Sequence, residues 1–301
     1  MKVLITGGSG LIGSRLTLLL QENNIEVVHL TRAPSSKFGI KTYKWNWKKK
    51  EIDENCFNGI TDIIHLAGAG VADRPWTMDR KHEIIKSRVE TANLIFQKLK
   101  ELNRPINSFI SASGIGYYGA TTTEQLFKEE DQPHDDFIAK SCIYWEKSAD
   151  QFSQLPTRVV KLRTGVVLAK DKGALAKIDK TIKLGIGSPI GTGKQAMPWI
   201  HINDIANLYL EALLDNTYNG VYNAVAPQSI NNEEITKEIA RTLNKKLFLP
   251  KVPAFVLRTI YGELSDVVLK GSNVSAKKLL NSGFEFQYPT LKEALEDIYK
   301  K

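Results

Sequence analysis

Thr6-Gly7-Gly8-Ser9-Gly10-Leu11-Ile12-Gly13 lies between a short apolar run, Lys2 to Ile5, and a stretch with helical spacing, Leu11 to Gln21. A second apolar run follows at Glu26 to Leu30, so strand, glycine-rich turn, helix and strand fit within thirty residues. Two registers fit the glycines: G-x-G-x-x-G through Gly8, Gly10 and Gly13, and T-G-x-x-G-x-x-G through Gly7, Gly10 and Gly13. Either builds a tight turn whose backbone N–H groups and helix N-terminus face a pyrophosphate, while the last glycine lets helix and strand pack closely. A merely flexible loop would not need three glycines in this register. A bound dinucleotide is the expectation.

Outward from this unit the alternation continues. Asp62 to Ala67 reads as a buried strand, Asp79 to Leu102 as a long helix, Ile106 to Ala112 as a strand, Ile138 to Phe152 as a helix and Arg158 to Leu162 as a strand. Strands separated by helix-length segments predict right-handed crossovers, hence an α/β fold with a doubly wound, mainly parallel sheet covered on both faces. After Leu168 the glycines from Gly173 to Gly193 mark a loop-rich excursion. Trp199 to Ile202 and Gly220 to Asn223 then read as short strands, with Asn203 or Asp204 capping a helix to Leu214. From Ile230 the chain is mostly helical: a helix capped by Asn231 or Asn232 to Leu243, then Ala254 to Tyr261, Glu263 to Leu269 and Leu291 to Tyr299. The expected organisation is a dinucleotide-binding domain over 1–168 and 199–226. A smaller, mostly helical C-terminal lobe, 169–198 plus 227–301, covers one end of the sheet.

Composition narrows the function classes. With 42% hydrophobic and 25% charged residues, the chain is neither a disordered tail protein nor a disulfide miniprotein. No apolar run approaches the roughly 18 residues that span a bilayer, and Met1-Lys2 leads into the first strand without a signal-peptide core, so a cytoplasmic location is expected. Cys56 and Cys142 carry no metal-ligand spacing. The 41 Lys+Arg exceed the 33 Asp+Glu by 8, which raises the question of an acidic partner. Tyr43-Lys44-Trp45-Asn46-Trp47-Lys48-Lys49-Lys50 interleaves aromatics with cations as nucleic-acid surfaces do, but no binding motif accompanies it. A solvated edge strand protected by lysines is the expected reading. The expected partner is a small-molecule substrate, not nucleic acid or a membrane; a homodimer is left open.

The end of the second strand discriminates between cofactors. NAD sites place an acid there on the ribose 2′-OH, and NADP sites an Arg near the 2′-phosphate. Here it reads Leu30-Thr31-Arg32, and the nearest acid, Glu26, sits at the strand's other end. The Arg32 fork and the Thr31 hydroxyl suit a phosphate dianion, so NADP(H) is expected over NAD(H).

With these residues in hand, the chain resembles an extended, atypical short-chain dehydrogenase/reductase, and more narrowly the epimerase-family, sugar-nucleotide epimerase-like branch. The matching stretches include Thr6–Gly13, His65–Gly68, Lys86-Ser87-Arg88, Ser111–Gly119, Trp145-Glu146, Leu162–Leu168, Gly173-Ala174-Leu175, Met197–Ile202, Val252-Pro253-Ala254 and Gly283-Phe284. They cover essentially the whole chain. The resemblance implies a Rossmann domain with the dinucleotide along the C-terminal edge of the sheet, held by Gly7, Gly10, Leu11, Ile12 and Gly13. It also implies that Leu66, Ala67, Glu83, Arg88 and Val167 lie beside the cofactor. For Glu83, a structural ion pair with a neighbouring Lys is an equal alternative.

Enzymes of this superfamily use a Tyr whose acidity is raised by a Lys four residues on, because an unperturbed phenol near 10 is a poor base at neutral pH. The only literal match, Tyr288 to Lys292, lies far beyond the expected place and contains Pro289. Anchoring the family pattern on Glu146 places Ile138 at the Tyr position and Cys142 at the Lys position. What remains is Ser113 to orient a substrate, with Ser111 as the alternative, and Tyr117 or Tyr118 as an acid. Against the latter stands a reading in which one ring packs in the core and the other lines the pocket. Cys142 reads as a buried small hydrophobe, His201 as a packed histidine and Asp204 as a helix cap. Two functions fit: an NADP(H)-dependent oxidoreductase or epimerase-like enzyme acting on a small polar substrate, and a catalytically silent NADP(H)-binding sensor.

Overall fold

The computed structural model describes residues 1–33 and 39–300. The chain runs β1 (Lys2–Thr6), α1 (Leu11–Glu22), β2 (Glu26–Thr31), β3 (Lys41–Asn46), β4 (Glu51–Ile52), β5 (Asp62–His65), α2 (Met78–Glu101) and β6 (Ser108–Gly114). It continues β7 (Leu126–Phe127), α3 (Phe137–Asp150), β8 (Arg158–Thr164), β9 (Val166–Leu168), α4 (Gly173–Lys183), β10 (Trp199–His201), α5 (Ile202–Leu214) and β11 (Gly220–Ala224). Last come α6 (Asn232–Thr242), α7 (Ala254–Tyr261), α8 (Asp266–Leu269), β12 (Asn273–Val274), α9 (Lys277–Asn281) and α10 (Leu291–Tyr299). Eight strands form one sheet in the order β11-β8-β6-β5-β1-β2-β3-β4, parallel throughout except at β3–β4.

Both faces of this sheet are covered, which is why its central strands are nearly continuous apolar runs. Alternate residues serve opposite faces. Val3, Ile5, Ile64 and Ile110 join Leu16 and Leu20 of α1 and Ile205 and Leu208 of α5 in one core. Leu4, Ile63 and Phe109 join Ile95 of α2, Ala149 of α3 and Phe152 in the other, where the Phe109 and Phe152 rings stack at 3.6 Å. A third core, including Leu175, Ile182, Ile235, Ile239, Leu295 and Ile298, joins α4, α6 and α10.

The strand order places the site. The chain moves outward from β1 through β2, β3 and β4, then resumes with β5 on the other side of β1. Crossovers therefore leave in opposite directions above the β1/β5 boundary, opening a crevice at the carboxyl ends of those strands.

Three expectations need correction. β3, which contains Tyr43 and Trp45, is not the sheet edge: two-residue β4 pairs outside it, and both aromatic rings are buried core. β10 leaves the main sheet and pairs only with β9. At Gly165, just before β9, a Cβ would lie 2.7 Å from the Pro198 carbonyl oxygen, so the chain turns away where only glycine fits. The 169–198 excursion carries the eleven-residue helix α4, whose apolar stripe the surrounding glycines hid.

Candidate functional site

The glycine turn needs each of its glycines for a different reason. Gly7 has φ +71°, and a Cβ there would meet the Leu66 carbonyl at 2.9 Å. At Gly8 the His29 ring occupies that space, 2.3 Å away, and at Gly13 the Gly7 carbonyl oxygen lies 2.4 Å away. The two sequence registers are thus both used: Gly7 turns the chain onto β5, Gly8 admits His29, and Gly13 seats α1 on the turn. Gly10 caps α1 without a side-chain acceptor. The first-turn N–H groups, including those of Leu11 and Ile12, therefore have no helical partner and face the crevice mouth with the positive end of the helix dipole. Such a helix N-terminus favours an anion.

On one side of the turn, Thr31 Oγ1 donates to the Ala33 carbonyl oxygen at 3.0 Å. Arg32 is exposed and makes no ion pair among the described residues. Glu26 pairs with Lys2 at 2.8 Å at the far end of β2, and no acid follows Arg32 before Glu51. On the other side, Leu66 and Ala67 are half-buried, their N–H groups bonded to the Thr6 carbonyl and hydroxyl. Arg88 lies beneath the next residues, 7% exposed, donating to the Ala69 and Ile84 carbonyl oxygens at 3.0 and 2.9 Å and lying 4.6 Å above the Trp145 ring. Burial draws its pKa down to about 10, so it stays cationic at neutral pH. No carboxylate pairs with it among the described residues. A buried cation without a counter-ion is costly unless an anion completes it. Glu83 pairs with Arg80 at 2.6 Å, an arginine one turn away where a lysine was expected, and that hydrogen bond holds its carboxyl below the usual carboxylate range. Val167 is half-buried in β9.

Beyond β6 a buried network decides the roles of the other candidates. Ser113 Oγ donates to Glu146 Oε1 at 2.7 Å, and Arg163 grips both oxygens of Glu146 through Nε and Nη2 at 2.8 and 2.9 Å. Arg163 Nη1 donates to the Tyr118 hydroxyl at 2.9 Å, which in turn donates to Asn223 Oδ1 at 2.7 Å. Tyr118 is fully buried, and burial pushes its hydroxyl up to about 12. With donor and acceptor both engaged, Tyr118 has no proton for a substrate; it is the ring that packs. Tyr117 is half-buried, its ring stacked 3.4 Å from the Arg163 guanidinium, and its hydroxyl makes no hydrogen bond among the described residues. Ser111 is buried and bonded to the Ala112 carbonyl, which leaves Ser113 as the serine of the network.

Ile138 and Cys142 face this segment from α3. A Cβ on Gly116 would meet Ile138 Cγ2 at 2.2 Å and Cys142 Sγ at 3.6 Å. Burial pushes the Cys142 thiol up to about 12, so no thiolate forms. His201, not Asn203 or Asp204, caps α5: its Nδ1 accepts from Asn203 N at 3.2 Å. Asp204 instead accepts the N–H groups of Gln287 and Tyr288 at 2.8 and 3.2 Å, pinning the C-terminal segment to α5. Sequence reasoning missed Arg163; it shares the strand Arg158–Thr164 with two other cations, Arg158 and Lys161, so nothing in the sequence set it apart. Two cavities of about 310 Å³, lined by residues such as Gln228 and Arg241 and such as Thr122 and Lys194, share no residue with this site. Among the described residues no acidic, His or Cys cluster could hold a metal, and no helix is long and apolar enough to cross a membrane.

Residues 3–224 match the model of the NAD dependent epimerase/dehydratase family. The chain belongs to that family. Residues 252–298 match a second model, a domain of unknown function. Among relatives of this epimerase-family chain, the chloroplastic SDR39U1 homolog of Arabidopsis thaliana is 35% identical over 306 residues, covering 99% of this chain and 86% of that one. The crystal structure of human epimerase family protein SDR39U1 (isoform 2) with NADPH superposes with TM-score 0.87 at 30% identity, covering 99% of each chain. The nucleoside-diphosphate sugar epimerase of Corynebacterium glutamicum superposes with TM-score 0.79 at 28% identity over 98% of this chain and 57% of that one.

Three buried histidines make stability pH-dependent. His29, His65 and His201 are buried, and desolvation holds each at about 4 against an ordinary 6.5. Neutral when folded, they take up protons on unfolding, so their contribution is full above about 6.5 and is lost as pH falls toward 4. Asp204 acts oppositely, since burial raises it to about 6 from 3.8 and the folded state takes up its proton first. Three protons less one leaves a net of about two, a slope of roughly 2.5–3 kcal/mol per pH unit in that window. Urea unfolding from pH 8 to 4.5 should show a plateau above 7 and a steep loss below 6. A flat profile would contradict the neutral histidines.

Proposed function

We propose that this protein is an NADP(H)-dependent oxidoreductase or epimerase-like enzyme acting on a small molecule. The observation that carries the reading is a pair of arginines without carboxylate partners among the described residues, Arg32 and Arg88, on either side of a glycine-built helix N-terminus that has no side-chain cap. In this reading the Gly7–Gly13 turn and the N–H groups of Leu11 and Ile12 hold the pyrophosphate, and Thr31 and Arg32 hold the 2′-phosphate. Leu66, Ala67, Glu83, Arg88 and Val167 line the remainder of the dinucleotide. The bound nicotinamide supplies the two-electron chemistry. Ser113, its own hydrogen turned to Glu146, presents lone pairs that accept a hydrogen bond from substrate, and Tyr117 supplies a hydroxyl that makes no hydrogen bond among the described residues.

A second reading, a catalytically silent NADP(H)-binding sensor, is favoured by Ile138 and Cys142, which set a hydrocarbon and a thiol that stays protonated beside Gly116 and offer neither the phenol nor the ammonium of the superfamily's pair. Following NADPH oxidation across a panel of carbonyl compounds separates the two. The enzyme reading expects turnover that Ser113→Ala lowers by about tenfold, the value of one hydrogen bond. Tight NADPH binding with no turnover on any compound would sink it in favour of the sensor.

A further inference from the structure

One of the two cavities outside the cofactor crevice has walls of unusual chemistry. It measures about 310 Å³ and is lined by Thr122 and Thr123 before β7, Lys194 before β10, Asn231 and Glu234 at the start of α6, and Asn273 of β12. Lys194 and Glu234 bring opposite charges to this one cavity. They do not pair with each other, and neither makes an ion pair with any other group among the described residues. Water alone solvates both charges, and a ligand carrying the two opposite charges would replace it at each end with a charge-assisted hydrogen bond.

The neutral groups around them are turned outward as donors. Ser229 Oγ donates to Asn273 Oδ1 at 2.8 Å, and Asn231 Oδ1 accepts the Glu234 N–H at 2.9 Å. Each amide therefore spends its oxygen on the protein, and neither amide nitrogen makes a hydrogen bond among the described residues; nor do the Thr122 and Thr123 hydroxyls. Glu234 Oε2 accepts the Asn231 N–H at 2.8 Å, which leaves Oε1 to meet a ligand donor. A simple anion would leave Glu234 unanswered, a simple cation would leave Lys194 unanswered, and a neutral sugar would answer neither charge. The apolar lining is limited to Ala196 and Ile230, with no aromatic ring, so a large hydrophobic group gains little there.

We propose that this cavity is a second binding site, for a free α-amino acid with a small polar side chain. Its carboxylate meets Lys194, its ammonium meets Glu234, and its remaining polar atoms accept from Thr122, Thr123, Asn231 and Asn273. The site is independent of the reading of the cofactor crevice, but it is mechanically joined to the turn that carries Tyr117. Ser272 Oγ donates to the Gly119 carbonyl at 2.8 Å and so accepts from the Thr121 hydroxyl at 2.9 Å, while Asn273 pairs with Leu126 across β12 and β7. A ligand held between Lys194, α6 and this strap braces the segment that follows Tyr117.

Calorimetry on the full chain tests the site, with L-serine, L-asparagine and L-glutamine as probes. At least one should saturate, with a dissociation constant of about 1 mM or tighter. For that amino acid, the analogue without the amine and the methyl ester should each bind at least about tenfold more weakly, the value of one hydrogen bond to a charged group. Lys194→Ala, at an exposed position, should weaken it by about tenfold or more. Glu234→Gln should do the same while keeping a capping acceptor for the Asn231 N–H. Hydrogen exchange across residues 119–123 should slow in the saturated protein. Failure of all three amino acids to saturate, or analogues that bind as tightly as the parent, or unchanged binding by Lys194→Ala, overturns the site. Saturation with unchanged exchange overturns the coupling to the Tyr117 turn.

Discussion

Arg163→Met is expected to lower the free energy of unfolding by about 3–5 kcal/mol, because it strands a buried carboxylate. The Arg163 and Glu146 side chains are 3% and 7% exposed, and the guanidinium meets both carboxylate oxygens in the fork geometry that suits it. Without it, Glu146 keeps only the Ser113 hydroxyl, Tyr118 loses its donor, and the Tyr117 ring loses the cation stacked on it. Arg163→Lys should recover only part of the loss, since one ammonium cannot span Glu146, Tyr118 and the Glu129 carbonyl together. Replacing both partners, Arg163→Met with Glu146→Met, should be markedly more stable than Arg163→Met alone. Urea denaturation of the four proteins measures this. A single-variant loss under about 1 kcal/mol would mean that water reaches the pair.

The second large effect concerns the cofactor. Arg32→Ala is expected to weaken NADPH by about 10- to 150-fold, the value of roughly 1.5–3 kcal/mol for hydrogen bonds to a charged group, and to leave NADH nearly unchanged. The selectivity follows from position: Arg32 follows the end of β2 and makes no ion pair among the described residues, and in the proposed reading it meets the 2′-phosphate that NADH lacks. Because Arg32 is exposed, the effect should shrink as salt is raised.

How much of this was legible in the sequence depended on how local each cause was. The glycine turn was readable because the φ of Gly7 and the close approaches at Gly8 and Gly13 involve neighbours fixed by the βαβ unit. The sheet was readable because strands covered on both faces must be apolar throughout. The roles of Tyr117 and Tyr118 were not readable: they are adjacent on a single 3₁₀ turn, and only the tertiary position of Arg163 and Asn223 decides which ring is buried. Likewise Asp204 looked like a cap because its partners, Gln287 and Tyr288, are more than eighty residues away. Helix α4 was hidden because glycines flank it, although its apolar stripe builds a core with α6 and α10. Arg163 is one of three cations in β8, with Arg158 and Lys161, and its partner Glu146 belongs to a helix packed against the sheet, so its role was not readable.

Titration of the wild-type protein and Arg32→Ala with NADPH and NADH decides whether Arg32 reads a 2′-phosphate. Wild type should bind NADPH more tightly than NADH, and Arg32→Ala should bring NADPH down to the NADH level. Equal affinities in the wild type, or an equal loss of both nucleotides in the variant, would contradict it.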